Sequence, residues 1–194
     1  MKLIKTAVVA ALVTLTVAAC GGQPAPAGHS EHSSTSAPAA AKNNAADIAF
    51  ASGMVPHHQQ AVEMADLIPG RSDNPKLVSL GERVRKAQQP EIDKMNGWLK
   101  QWGAPAPTGH EGHAGHDMAG MMTPQQMTEL KAAKGVTFDK MWLRMMVEHH
   151  KGALEMARTE LDKGADPDAK KLAKDIVDSQ QKEIDEMTAM LAER

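Results

Sequence analysis

Apolar residues, joined by a few polar ones, recur at helical spacing in four long stretches of the chain. Wound at 100° per residue, Asp47, Phe50, Met54, His57, His58, Ala61, Met64 and Ala65 fall within a sector of about 120°. Pro56, Gln59 and Glu63 fall on the opposite side. Leu77, Leu80, Val84, Gln88, Ile92, Met95 and Leu99 share a second face. The same two faces return later as Asp139, Trp142, Met146, His149, His150, Ala153, Met156 and Ala157, and as Ala169, Leu172, Ile176, Gln180, Ile184, Met187 and Leu191. No stretch alternates with the period of a strand. The pattern predicts helices over about 46–68, 75–101, 138–163 and 167–193. Asn74-Pro75 and Asp166-Pro167 supply an N-cap followed by proline at the first helical position, and Gly70 and Gly164 are expected to end the preceding helices. Pro56 removes one backbone donor, so a kink just before His57 is predicted, unless the helix starts there.

The recurrence is a duplication. MVPHHQQAVEMA, from Met54 to Ala65, matches MVEHHKGALEMA, from Met146 to Ala157, at an offset of 92. QQPEIDKM from Gln88 matches QQKEIDEM from Gln180 at the same offset. Each repeat reads as a helical hairpin, and two hairpins close most simply as a four-helix bundle. The expected class is therefore all-α, a ferritin-like bundle of repeats 46–102 and 137–194 joined by a linker, 103–136. The second half of the linker predicts a short helix, with Thr123 as N-cap, Pro124 at the first position and Gly135 as stop.

Ahead of the domain, a basic start and a short apolar run end at Cys20. The run is shorter than the roughly 20 residues a membrane-spanning helix needs and has the layout of a secretory signal. Val17-Ala18-Ala19-Cys20 resembles the bacterial lipobox, which implies a signal peptide over 1–19, lipidation of Cys20 and a mature lipoprotein anchored outside the cytoplasm. Residues 20–45 are rich in Ala, Pro, Gly and Ser and read as a flexible tether, in which His29 and His32 are solvated. With one Cys, neither an internal disulfide nor a Cys-cluster zinc site can form. A net charge of −2, falling to −4 once Lys2 and Lys5 are removed, argues against a nucleic-acid partner.

Composition adds a chemical bias. The chain from Cys20 onward holds thirteen Met against ten Leu, and the whole chain holds nine His. Imidazole suits copper, zinc, nickel and iron, and thioether favours Cu(I). The linker places His110, His113, His116, Met118, Met121 and Met122 within thirteen residues, a metal-binding composition without defined geometry. In each repeat a Met lies one turn from two adjacent His: Met54 with His57 and His58, and Met146 with His149 and His150. These sets read either as ligands or as packed core. Met64 and Met156 belong to the same faces, and with Met95 and Met187 they lean toward core. For Asp47, Asp139, Glu91 and Glu183, capping or solvation is expected ahead of hydrogen bonding to a His. Gln88 and Gln180 face inward and need partners.

The doubled signature, M-V-x-H-H-x-x-A-[VL]-E-M-A followed by Q-Q-x-E-I-D-x-M, resembles the DUF305 family over about 46–102 and 137–193. The resemblance implies a ferritin-like bundle in a secreted or lipoprotein-like, copper-associated protein, with copper as Cu(I) or Cu(II) the first metal to test. Carried over by position, the family's paired His are His57, His58, His149 and His150, and its recurrent Met are Met54, Met64, Met146 and Met156. The expected function is copper sequestration or transfer at the membrane surface, with a metal-transfer protein as partner and no catalytic residues. Two alternatives stand beside it: a di-iron oxidase, disfavoured because no Glu-x-x-His occurs in the bundle helices, and a surface interaction module without metal.

Overall fold

The computed structural model describes residues 43–105 and 119–193. The signal segment, Cys20, nearly all of the tether, and the linker residues His110, His113, His116 and Met118 lie outside them. Among the described residues all regular structure is helical: α1 (Ala45–Asp66), α2 (Pro75–Gln101), α3 (Pro124–Ala132), α4 (Gly135–Lys163) and α5 (Pro167–Ala192). None of these helices is long and apolar enough to cross a membrane.

The caps follow the local sequence. The Asn44 side chain accepts from the Ala46 and Asp47 amides, and Asp47 answers through the Asn44 amide. Asn74, Thr123 and Asp166 cap α2, α3 and α5, each with proline in the first turn behind it. Three expectations need correction. The linker helix stops at Ala132, and Gly135 opens α4 rather than ending α3. Ala133 and Lys134 are already extended, and Gly135 at φ 57° turns the chain into α4 while its amide donates to the Arg71 carbonyl at 2.7 Å. α1 does not start at Pro56, which lies inside the helix as Pro90 lies inside α2. Both prolines lie off the buried face, so water can satisfy the carbonyl each leaves unpaired. Third, Leu191 is only half-buried and Met190 takes the core position beside it.

α1 packs on α2, α4 on α5, and the two hairpins join through α1 against α4. α1 and α4 run antiparallel. The start of α1 meets the end of α4, where Asp47 accepts from the Ala165 and Asp166 amides at 3.0 and 2.8 Å. The end of α1 meets the first half of α4, where the Trp142 indole donates to the Met64 carbonyl at 2.8 Å. Buried apolar side chains form two clusters. One gathers Met64, Leu80, Trp142, Met146 and Met187; the other gathers Phe50, Met54, Met95, Ala157 and Ile176. The four bundle His lie between them along α1 and α4.

Asp47 is therefore a cap for two helices and not a partner of any His. Burial works against its ionisation, but hydrogen bonds from the Asn44, Asp166 and Ala165 amides outweigh that and hold its pKa below the ordinary 3.8. Glu160 lies beside it, 1% exposed. Burial first, and then the Asp47 carboxylate, push Glu160 up to about 8, with Lys170 opposing. The unfolded residue ionises near its ordinary 4.5. Between these values the native state holds the extra proton, so this site makes stability fall as pH rises from about 4.5 through about 8. Asp47 acts in the opposite sense, losing its contribution as pH drops below 3.8. Glu160→Gln should leave stability at pH 5 nearly unchanged and raise it at pH 8 by roughly 1–3 kcal/mol. Urea unfolding at the two pH values measures this, and an unchanged difference between them would refute the assignment.

Candidate metal centre

The four imidazoles meet where α1 crosses α4, and each is fully buried. The His57 and His149 rings lie against each other, centroids 3.7 Å apart and tilted by 38°. His58 and His150 flank them at 6.5 and 6.3 Å from their chain neighbours. The duplication generates this arrangement: matched residues of antiparallel helices face each other about a local two-fold.

Glu91 of α2 accepts from His58 Nε2 at 2.7 Å, and Glu183 of α5 accepts from His150 Nε2 at 2.7 Å. Both carboxylates keep about a fifth of their surface in water, at 20% and 17% exposed, while their imidazoles have none. The expectation of capping or solvation for Glu91 and Glu183 is thus corrected: each fixes one buried imidazole. The separation of 33 residues between His and Glu recurs in both repeats, a signal already present in the duplication.

An acceptor at Nε2 forces the N–H onto that nitrogen and leaves the lone pair on Nδ1. The Nδ1 atoms of His58 and His150 are buried without a hydrogen bond, as is that of His57, whose Nε2 reaches the Ala119 carbonyl at 3.3 Å. His149 makes no hydrogen bond through either ring nitrogen. Burial foremost, then the neighbouring His58, lowers His57 to about 3, with the Ala119 carbonyl opposing. Burial and the adjacent His57, His150 and His58 likewise hold His149 well below the ordinary 6.5; the nearby His57 backbone opposes but is outside hydrogen-bonding geometry. Both rings are neutral at physiological pH, so their lone pairs are free for a Lewis acid rather than used by protons.

Five orphan nitrogens in one buried layer are costly, at roughly 1–3 kcal/mol each. Gln88 extends the unsatisfied set with both amide atoms, and Gln180 with its carbonyl oxygen. Neutral imidazole nitrogens suit copper, zinc, nickel or iron, and a neighbouring thioether turns the preference toward Cu(I). Among the described residues no three His, Cys, Asp or Glu converge as a ready chelate for one ion, so imidazole alone would give a low coordination number. Met54 and Met146, both fully buried and one turn from His57 and His149, are the nearest thioethers along their helices. They approach the layer from opposite clusters. Met64 is buried among Leu80 and Trp142, and Met156 lies half-buried against the other cluster, both as packing residues. The described carboxylates reach separate imidazoles and do not share one, unlike the bridged pair of a di-iron centre.

The linker set is divided. Met121 is half-buried, and Met122 is buried in the cluster that holds Met146. Gln60 grips Met122 through two hydrogen bonds, its amide donating to the Met122 carbonyl at 2.8 Å and its oxygen accepting from the Met122 amide at 2.6 Å. Periodicity did not single out Gln60, because its partner is backbone rather than another helix face.

The family described as domain of unknown function DUF305 matches residues 47–191. A putative secreted DUF305 protein from Streptomyces coelicolor superposes with a TM-score of 0.70 at 34% identity, covering 76% of this chain and 93% of that one. CopM in its Cu(II)-bound form superposes at 0.66 with 33% identity, covering 76% and 96%, and CopM is also solved with Cu(I) and with silver. Uncharacterized protein L153 of Acanthamoeba polyphaga mimivirus is 45% identical over 56 residues, a match spanning 37% of that protein. With the doubled His-His helices, the hairpin topology and the family match over most of its length, this chain belongs to the DUF305 family.

Proposed function

We propose that this protein binds copper as cargo, taking up Cu(I) at the buried imidazole layer and holding or handing it on outside the cytoplasm. The observation that carries the reading is the layer itself: four buried imidazoles with five ring nitrogens lacking partners, two of the rings in contact. The Cu(I)- and silver-bound forms of CopM, at 28% identity, support a soft monovalent cation as the occupant, and its Cu(II)-bound form supports copper more generally. The ligands are drawn from His57, His58, His149 and His150, with Met54 and Met146 at the sides. Met64 and Met156 support the walls. The linker residues His110, His113, His116, Met118 and Met121 form a separate, weaker collecting set.

The role we propose is binding rather than catalysis: the layer supplies imidazole ligands, and its two His–Glu pairs orient them. Lipidation at Cys20 would hold the domain at the membrane surface, where a metal-transfer protein is the natural partner. Anaerobic titration of the mature chain with Cu(I) against a chromogenic chelator tests this. At least one Cu(I) should bind with micromolar affinity or better. Replacing His110, His113 and His116 should lower the stoichiometry, while replacing the four bundle His should lower the affinity. No Cu(I) uptake by the intact chain would end the proposal.

A further inference from the structure

The segment Ala119–Met122 crosses the outside of the imidazole layer and is seated more firmly than a linker needs. Gln60 of α1 holds the Met122 backbone at two points. On α4, Gly152 provides the notch it crosses: a Cβ there would come within 1.8 Å of the Ala119 oxygen and 2.4 Å of its carbon. Gly120 adopts φ 81°, and a Cβ on it would meet the Glu148 carbonyl at 2.5 Å. Gln60 and Gly152 occupy matched positions of the two repeats, at the offset of 92. One copy has become the grip and the other the gap. Across this seat the Ala119 carbonyl faces His57 Nε2.

We propose that this strap is the positioning element of His57. A carbonyl can only accept, so it holds the ring with its proton on Nε2 and leaves Nδ1 as the lone pair directed into the layer. Glu91 and Glu183 do the same for His58 and His150. Three rings are thereby set in one tautomer by three different partners, and His149 alone is left to adapt to an occupant. The inference rests on the reading of the layer as a metal site, and it adds a coupling: seating the strap tightens the layer, and by linkage an occupied layer seats the strap. The linker that carries the His/Met run is thus tied directly to the state of the bundle.

Gly152→Ala and Gln60→Leu test it in the full mature chain. The first evicts the strap while favouring the α4 helix, since alanine is the better helix former. The second removes both side-chain grips at similar volume, and serves if the first fails to fold. Nitrogen-15 NMR of the His rings in the metal-free protein reports the tautomer, and Cu(I) competition reports affinity. The wild-type His57 should show a single, exchange-protected Nε2–H. Both variants should lose that protection and bind Cu(I) about tenfold more weakly, with circular dichroism unchanged. A His57 that keeps its protected Nε2–H in both variants overturns the proposal. So does a lost tautomer with unchanged Cu(I) affinity. If the wild type takes up no Cu(I), the functional reading fails by itself, and the positioning of His57 is still decided by the NMR comparison.

Discussion

His149→Leu is expected to make the metal-free protein more stable by about 1–2 kcal/mol while weakening Cu(I) binding by about a hundredfold. The two effects share one cause. His149 is fully buried and hydrogen-bonded through neither ring nitrogen, so in the empty protein it contributes two desolvated polar atoms and no compensating bond. Leucine is close in volume and fills the space between Met146 and Ala153 without those atoms. The same free nitrogens are what an incoming cation would use. A ring kept only for packing would behave differently, because its loss would disturb the fold and leave metal binding as it was. Urea unfolding of the metal-free variant, paired with chelator competition, separates the cases. A destabilised variant with undiminished Cu(I) affinity would count against a ligand role for His149.

Trp142→Ala is expected to cost about 3–5 kcal/mol of stability, the largest loss from any single truncation in the bundle. The indole is fully buried in the cluster that contains Met64, Leu80 and Met146. Its N–H also donates to the Met64 carbonyl in the last turn of α1, beside the Leu67 amide that reaches the same oxygen at 3.2 Å. The matched residue of the first repeat is Phe50, which lacks such a donor. Trp142→Phe should therefore cost only the bond and part of the volume, roughly 1–2 kcal/mol. Denaturant unfolding of both variants gives the comparison, and a Trp142→Phe variant as stable as the wild type would show that the indole hydrogen bond contributes nothing.

The helices, the inward faces and the His pairs were legible because they are periodic and duplicated. Met54, His57, His58 and Met64, with their counterparts Met146, His149 and His150, all proved buried, as a stripe at helical spacing requires. Contacts that depend on a single side chain meeting backbone were not legible. Trp142 on the Met64 carbonyl, Gln60 on Met122 and the Ala119 carbonyl on His57 leave no periodic trace, since the acceptor is present at every residue. Glu91 and Glu183 were legible in part: both survive the duplication, while the adjacent Pro90 is replaced by Lys182. Their assignment to caps or solvent failed because a helical wheel shows a residue at the edge of a face and not what reaches it from the neighbouring helix. Gly135 looked like a stop because glycine at positive φ commonly ends helices, whereas here the break had come two residues earlier.

X-ray absorption at the copper edge decides whether the buried imidazole layer holds Cu(I). The sample is the mature chain with His110, His113 and His116 replaced by Ala, loaded anaerobically with one equivalent of Cu(I). The copper should be retained with a low coordination number, imidazole scattering, and a sulfur contribution from Met54 or Met146. Replacing His57 and His149 in that background should reduce the imidazole signal, and replacing all four bundle His should abolish it. Copper that is not retained, or whose scattering is indifferent to His57 and His149, would show that the imidazole layer is packed core and not a copper site.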